Sequence, residues 1–181
     1  MTHTFFLIVP LMAITLTACA EDTPAGGNDP GKTPLPACVE DDFMPLPFGG
    51  PGYDPQSGSL IGATQDSYLA SSTVLLVNPD KQQRFQELVG GVLATLNTQP
   101  GLVGFALGLS PACGTARTLT VWQSEQAMFD FVTSEAHLTA MSEASVVGLN
   151  GAVTSWTVTA DNVPPSWEEA SARVAAAETL Y

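Results

Sequence analysis

Between Ser71 and Thr159 the hydrophobic period of this chain switches repeatedly, and the order of the switches leaves few folds open. "SSTVLLVN" (71–78) is a β-branched and aliphatic run of the kind found in buried strands. At "NPDK", Asn78 suits a helix N-cap and Pro79 the first helical position, where a missing N–H costs nothing. Phe85, Leu88, Val89, Val92, Leu93 and Leu96 then recur at spacings of three and four, which makes one apolar helical stripe ended by "NTQPG". "LVGFALGLS" (102–110) alternates in size, with Val103, Phe105, Leu107 and Leu109 on one face and Leu102, Gly104, Ala106 and Gly108 on the other. "PACGT" turns the chain, with Cys113 at the tip, and "ARTLTVW" (116–122) is the returning strand. Ser124 caps a helix carrying Ala127, Met128, Phe131 and Val132, and Ser134 caps a second short one. "GAVTSWTVT" (151–159) is a fourth strand. Beyond it, Ser166 and Glu169 stand at capping-box spacing before a terminal helix with the stripe Trp167, Ala170, Val174 and Ala177.

Strand, helix, strand, strand, helix, strand is the order of the split βαβ unit. The expected fold is therefore α+β: a ferredoxin-like antiparallel sheet with helices on one face, plus a C-terminal helix. The other face must meet a second copy of the chain, the N-terminal arm or the terminal helix. Gly90 and Gly91, inside the first helix, are expected to let that helix pack closely on the sheet.

The N-terminus carries a different signal. "MTHTFFLIVPLMAITLTA" (1–18) is a short apolar run ending at "LTAC", and it resembles a bacterial lipoprotein signal peptide with its lipobox, although the leading segment has His3 and no Lys or Arg. The resemblance implies that Cys19 is lipidated and that the mature chain is anchored in the bacterial cell envelope. Ala20 follows that cysteine, where Asp would resemble an inner-membrane retention signal, so the outer membrane is favoured. Residues 19–57 form an acidic tether rich in Pro and Gly, which cannot bury enough surface to offset its ordering entropy. Its more apolar end, "FMPLPFGGPGYDP", is suited to lie against the domain as an extended arm. The domain proper is expected over 58–181. With Cys19 lipidated, Cys38 and Cys113 are the remaining thiols, and an oxidising compartment favours a bridge between them.

Composition excludes some partners. A net charge of −13 with only five Lys plus Arg leaves little to neutralise phosphates, so neither nucleic acid nor an anionic lipid surface is expected to bind electrostatically. With no CxxC and with only two histidines, one of them in the signal segment, no metal site is expected.

Two stretches, "LLVNPDKQQRFQELVGGVLATLNTQPGLVGFAL" (75–107) and "RTLTVWQSEQAMFDFVTSEAHLTAM" (117–141), resemble the antibiotic-biosynthesis-monooxygenase-like superfamily of dimeric α+β barrels, over about residues 71–160. The resemblance implies a homodimer, and a fold that hosts cofactor-independent oxygenases of aromatic compounds, haem-degrading enzymes and members of no known activity. The haem degraders carry an Asn, Trp and His triad. Asn78 matches the first, but Phe131 and Met141 stand at the other two positions, so haem degradation is not expected.

The candidate site residues follow from both readings. His137, the only histidine after the signal segment, shares a helical face with Ala140, Met141 and Ala144; it is either a general base or a packing residue. Trp122, with Thr118 and Thr120 on its face, lines a ligand pocket or plugs the core. Phe131, Met141, Asn78 and Arg117 complete the candidate pocket. Their plainer roles are core packing for the first two, a helix cap for Asn78 and an edge salt bridge for Arg117. No cofactor is implied. Three functions stay open: a non-catalytic binder of a small apolar or aromatic compound, a cofactor-independent monooxygenase with His137 as base, and a structural lipoprotein that dimerises through its free sheet face.

Overall fold

The computed structural model describes residues 38–177. The expected signal peptide, Cys19 and most of the expected tether lie outside the described residues. From the N-terminal side, the strands are β1 (Met44–Pro45), β2 (Tyr53–Asp54), β3 (Ser59–Leu60), β4 (Ser67–Val77), β5 (Leu102–Ser110), β6 (Thr115–Trp122) and β7 (Gly148–Thr159). The helices are α1 (Gln82–Leu96), α2 (Glu125–Val132), α3 (Glu135–Ser142), α4 (Ala144–Val147) and α5 (Trp167–Ala175). One antiparallel sheet runs in the order β1-β5-β6-β4-β7, with α1, α2 and α3 on one face. The expected α+β class and helix placement hold.

Most boundaries follow the local chemistry. The Ser124 hydroxyl accepts from Ala127 N–H at 3.1 Å, Ser134 from His137 N–H at 3.4 Å and Ser166 from Glu169 N–H at 3.0 Å, each satisfying a donor that the first helical turn leaves open. Asn78 accepts from Asp80 N–H at 3.1 Å, but the turn it caps is a 3₁₀ segment, Pro79–Lys81, before α1 begins. β4 starts four residues earlier than its aliphatic run, because Ser67 to Ala70 pair with β7 as well as Val74 to Val77 do. The serines that hide this strand from a hydrophobicity reading are accommodated: Ser72, fully buried, donates to Thr118 O at 2.9 Å.

Three expectations fail. Val103 does not share a face with Phe105 and Leu107. A bulge between Leu102 and Gly104 turns Leu102 toward Trp122 and Leu96, and Val103 toward Tyr53 on the opposite side. Gly90 and Gly91 do not pack on the sheet: both are exposed, and a Cβ added at either meets nothing within 4 Å. The folded unit also begins before residue 58. Phe48, Tyr53 and Leu60 join Val163, Trp167 and Ala170 in a core against Tyr68, Ala70, Leu119, Val121 and Val158, on the sheet face away from α1–α3. That face is thus covered from within the chain by both the arm and the terminal helix.

Cys38 and Cys113 form a disulfide across a sequence separation of 75. By chain entropy, a loop of that length is worth roughly 4 kcal/mol. Among the described residues, no helix is long and apolar enough to cross a membrane.

Candidate functional site

A cavity of about 530 Å³ lies between the sheet and α1, α2 and α3. Its floor is set by register. Ser71 of β4 stands opposite Thr120 of β6, and Thr73 opposite Thr118; Phe105 and Leu107 of β5 flank the two threonines. Because alternate strand residues share a face, these positions put a cluster of hydroxyls in the middle of the floor. The walls are apolar, from the inward stripe of α1 (Leu88, Val92) and from Met128 and Phe131 of α2. Among the described residues, no Asp, Glu, Lys or Arg lines the cavity, and His137 is the one lining group that titrates near neutral pH.

The aromatic wall is a chain of contacts. The Trp122 indole is buried, and its Nε1–H donates to Thr120 Oγ1 at 2.8 Å. Its ring lies 5.3 Å from that of Phe131, whose ring in turn meets the His137 imidazole at 5.0 Å in an edge-to-face arrangement. His137 Nδ1 is 3.1 Å from the Val132 carbonyl oxygen. A carbonyl can only accept, so Nδ1 carries the hydrogen and Nε2 is the acceptor of the neutral ring. Burial pushes the His137 pKa below its ordinary value, and the bond to Val132 offsets this only in part, so the imidazole is uncharged at neutral pH.

Trp122, Phe131, His137 and Met141 all line the cavity, Met141 from a half-exposed position. Arg117 and Asn78 do not. Arg117 has the opposite strand parity to Thr118, and its Nε donates to Glu40 Oε2 at 2.9 Å, so it anchors the arm. The Asn78 amide is taken up by its cap and by a 3.4 Å bond from Nδ2 to Val146 O. Ser71 and Thr73 are floor residues that the hydrophobic pattern passed over. The available signal was hydroxyls at every second position of a strand that is otherwise core. Among the described residues, no three His, Cys, Asp or Glu side chains gather where they could hold a metal ion.

Residues 72–143 match the family described as antibiotic biosynthesis monooxygenase. Several solved structures show partial likenesses to the chain. A Mycobacterium tuberculosis protein, Rv0793, is 17% identical with a TM-score of 0.46 and coverage of 49% of this chain and 92% of its own. A Caulobacter crescentus protein provisionally assigned as an antibiotic biosynthesis monooxygenase is 18% identical with a TM-score of 0.45 and coverage of 52% and 91%. A Fusobacterium nucleatum protein provisionally assigned as a monooxygenase is 13% identical with a TM-score of 0.44; there the match covers 54% of this chain but only 43% of that protein. No curated protein matches the chain.

Proposed function

We propose that the antibiotic biosynthesis monooxygenase domain at residues 72–143 serves an envelope-anchored lipoprotein as a non-catalytic binding module for a small, uncharged, apolar or aromatic compound. The cavity's lining carries this reading. Apolar walls reward burial of apolar surface at about 25 cal/mol per Å². The hydroxyls of Thr73 and Thr118 offer hydrogen bonds to one or two oxygen atoms on a ligand's underside, while those of Ser71 and Thr120, which donate to Thr154 O and Ser71 O, can only accept from a ligand hydroxyl. A charged ligand would lose its hydration with no fixed opposite charge to meet it, because among the described residues no Asp, Glu, Lys or Arg lines the space and His137 is uncharged at neutral pH. Acid–base chemistry has little to work with, since among the described residues one imidazole is the only lining group that titrates near neutral pH and its partner is a backbone carbonyl.

A second reading rests on that same imidazole. With Nδ1–H held by Val132, Nε2 has a fixed lone pair beside an apolar cavity, the arrangement a base needs to deprotonate an electron-rich hydroxyarene for reaction with oxygen. Two probes separate the readings. Titration of the chain with 2-naphthol and with naphthalene-2-sulfonate, followed by tryptophan fluorescence, should show saturable binding of the neutral compound only. Thr120→Val should weaken it several-fold. Equal binding of the sulfonate, or no binding of either compound, would count against the neutral pocket. Oxygen uptake with bound hydroxyarene that disappears in His137→Gln would replace the binding module with the oxygenase.

A further inference from the structure

Among the helices over the cavity, α3 is the one that buries no residue. α2 before it buries Phe131, α4 after it buries Ala144 and Val147, and α1 beside it buries Leu88 and Leu96. Yet His137, Ala140 and Met141 of α3 line the cavity. The helix is joined to its neighbours through short non-helical links, Thr133 and Ser134 on one side and Glu143 alone on the other. A few such positions at element ends are enough to absorb the backbone rotation of a hinge. The exposed residues of the lining, Val132, Met141, Val153 and Ser155, put the cavity's mouth between the α2–α3 side and β7.

The seam between α1 and α3 is incompletely filled. A groove runs along its outer side, between Gly91 and Thr95 of α1 and Ala136 and Thr139 of α3, and a Cβ added at Gly91 would meet nothing within 4 Å. What spans the seam is charge. Arg84 of α1 holds the Glu143 carboxylate with two bonds, Nε to Oε2 at 2.8 Å and Nη2 to Oε1 at 2.5 Å. Glu143 is also the residue that links α3 to α4, so the grip is on a hinge. Arg84 has a second partner, Glu87 of its own helix, at 3.0 Å. Glu143 can therefore leave without stranding the guanidinium. Both side chains of the Arg84–Glu143 pair are partly exposed, so water can solvate them once they separate.

We propose that α3 is a lid on the cavity, held shut by the Arg84–Glu143 pair at its hinge. With the pair made, α3 keeps His137 and Met141 against the space. With the pair broken, α3 swings on Thr133, Ser134 and Glu143, and a neutral ligand passes between it and β7. Neither Arg84 nor Glu143 lines the cavity, so the pair is the same whether the cavity is empty or filled. It stabilises both closed states equally, and it therefore sets how fast a ligand enters and leaves, not how tightly it binds. The lid's purpose rests on the cavity being a ligand site, as proposed above; its movement does not.

The test is stopped-flow fluorescence of the full chain with 2-naphthol. Arg84→Gln should raise the association and dissociation rates together, by about two- to fivefold, the range an exposed ion pair supports, and leave Kd unchanged within error. Glu143→Gln should do the same, and the double variant should add nothing, because both substitutions remove one interaction. Raising sodium chloride from about 0.05 to about 0.5 M should speed both rates in the wild-type chain and do little in the variants. Unchanged rates in Arg84→Gln would overturn the proposal. So would a faster dissociation alone with a matching loss of affinity, since that is a pocket residue's signature and not a gate's. If 2-naphthol does not bind, the ligand reading fails and the lid is decided by relaxation dispersion on the ligand-free chain, which also serves if the variants do not fold. The amides of residues 135–142 should share one microsecond-to-millisecond exchange process that β4 lacks, enlarged by salt in the wild-type chain. No exchange in those residues, or the same exchange in β4, would show that α3 does not move as a lid.

Discussion

His137 shows how much one side chain's surroundings decide. Its place in the first turn of α3 already disfavours a charged ring, since the unpaired N–H groups of that turn make a positive end. Burial against Phe131 adds to this, and the folded pKa falls below the ordinary value. Below pH about 6.5 the unfolded chain takes up the proton before the folded one does. The associated stability is therefore fully present above that pH and is lost as pH falls toward the depressed folded pKa. Thermal midpoints of the wild-type chain should drop between pH 7.5 and 5.5, and this part of the drop should vanish in His137→Gln. Asp42, Asp54 and Glu143 have carboxyls held below their usual range by hydrogen-bonding partners, so their stabilisation is lost only at lower pH and should survive the substitution. A midpoint flat across the window in the wild-type chain would mean that the ring is not buried as described. The role assigned to Arg117 fails on parity, since an odd position on β6 points away from the even-numbered threonines of the cavity floor.

At the scale of elements, the helices were legible because their signals are local: cap, stripe and stop lie within a dozen residues of each other. Strands were legible only where they are aliphatic. β4 and β7 both extend beyond their hydrophobic runs, as a strand's length is fixed by the neighbours it pairs with. Glycine was the least legible residue, because the same letter serves opposite ends. Gly101 has φ +77, and a Cβ there would come 2.5 Å from Ala127 Cβ, whereas Gly90 has open space around it in the middle of α1. Gly101→Ala should therefore destabilise the fold by about 1–3 kcal/mol, and Gly90→Ala should stabilise it by about 0.5–1 kcal/mol through helix propensity. Urea midpoints of the two variants should move in opposite directions. The same direction for both would contradict the placement of one glycine or the other.

At the scale of the molecule, the proposed anchor belongs to a segment outside the described residues. "LTAC" ahead of a polar tether supports lipidation at Cys19. Cells fed a clickable palmitate analogue should label the wild-type chain and leave Cys19→Ala unlabelled; equal labelling would remove the anchor from the proposal.

The sequence alone determined the order of elements, hence the split βαβ class, and it favoured a bridge between Cys38 and Cys113 once Cys19 was set aside for lipid, while the tertiary structure brought the two thiols together. The sequence also placed Trp122, Phe131, His137 and Met141 on faces that could converge. Whether they did depended on where α3 lies over the sheet, and that depends on contacts between residues distant in the chain. Tertiary structure decided the hydroxyl floor, since Ser71 meets Thr120 only through the β4–β6 register. It likewise decided what covers the second sheet face. The composition of residues 43–60 allowed a loose tether or a packed arm, and the space over Gly104 and Gly108 settled which, because only the folded sheet puts those missing side chains opposite Phe43 and Phe48.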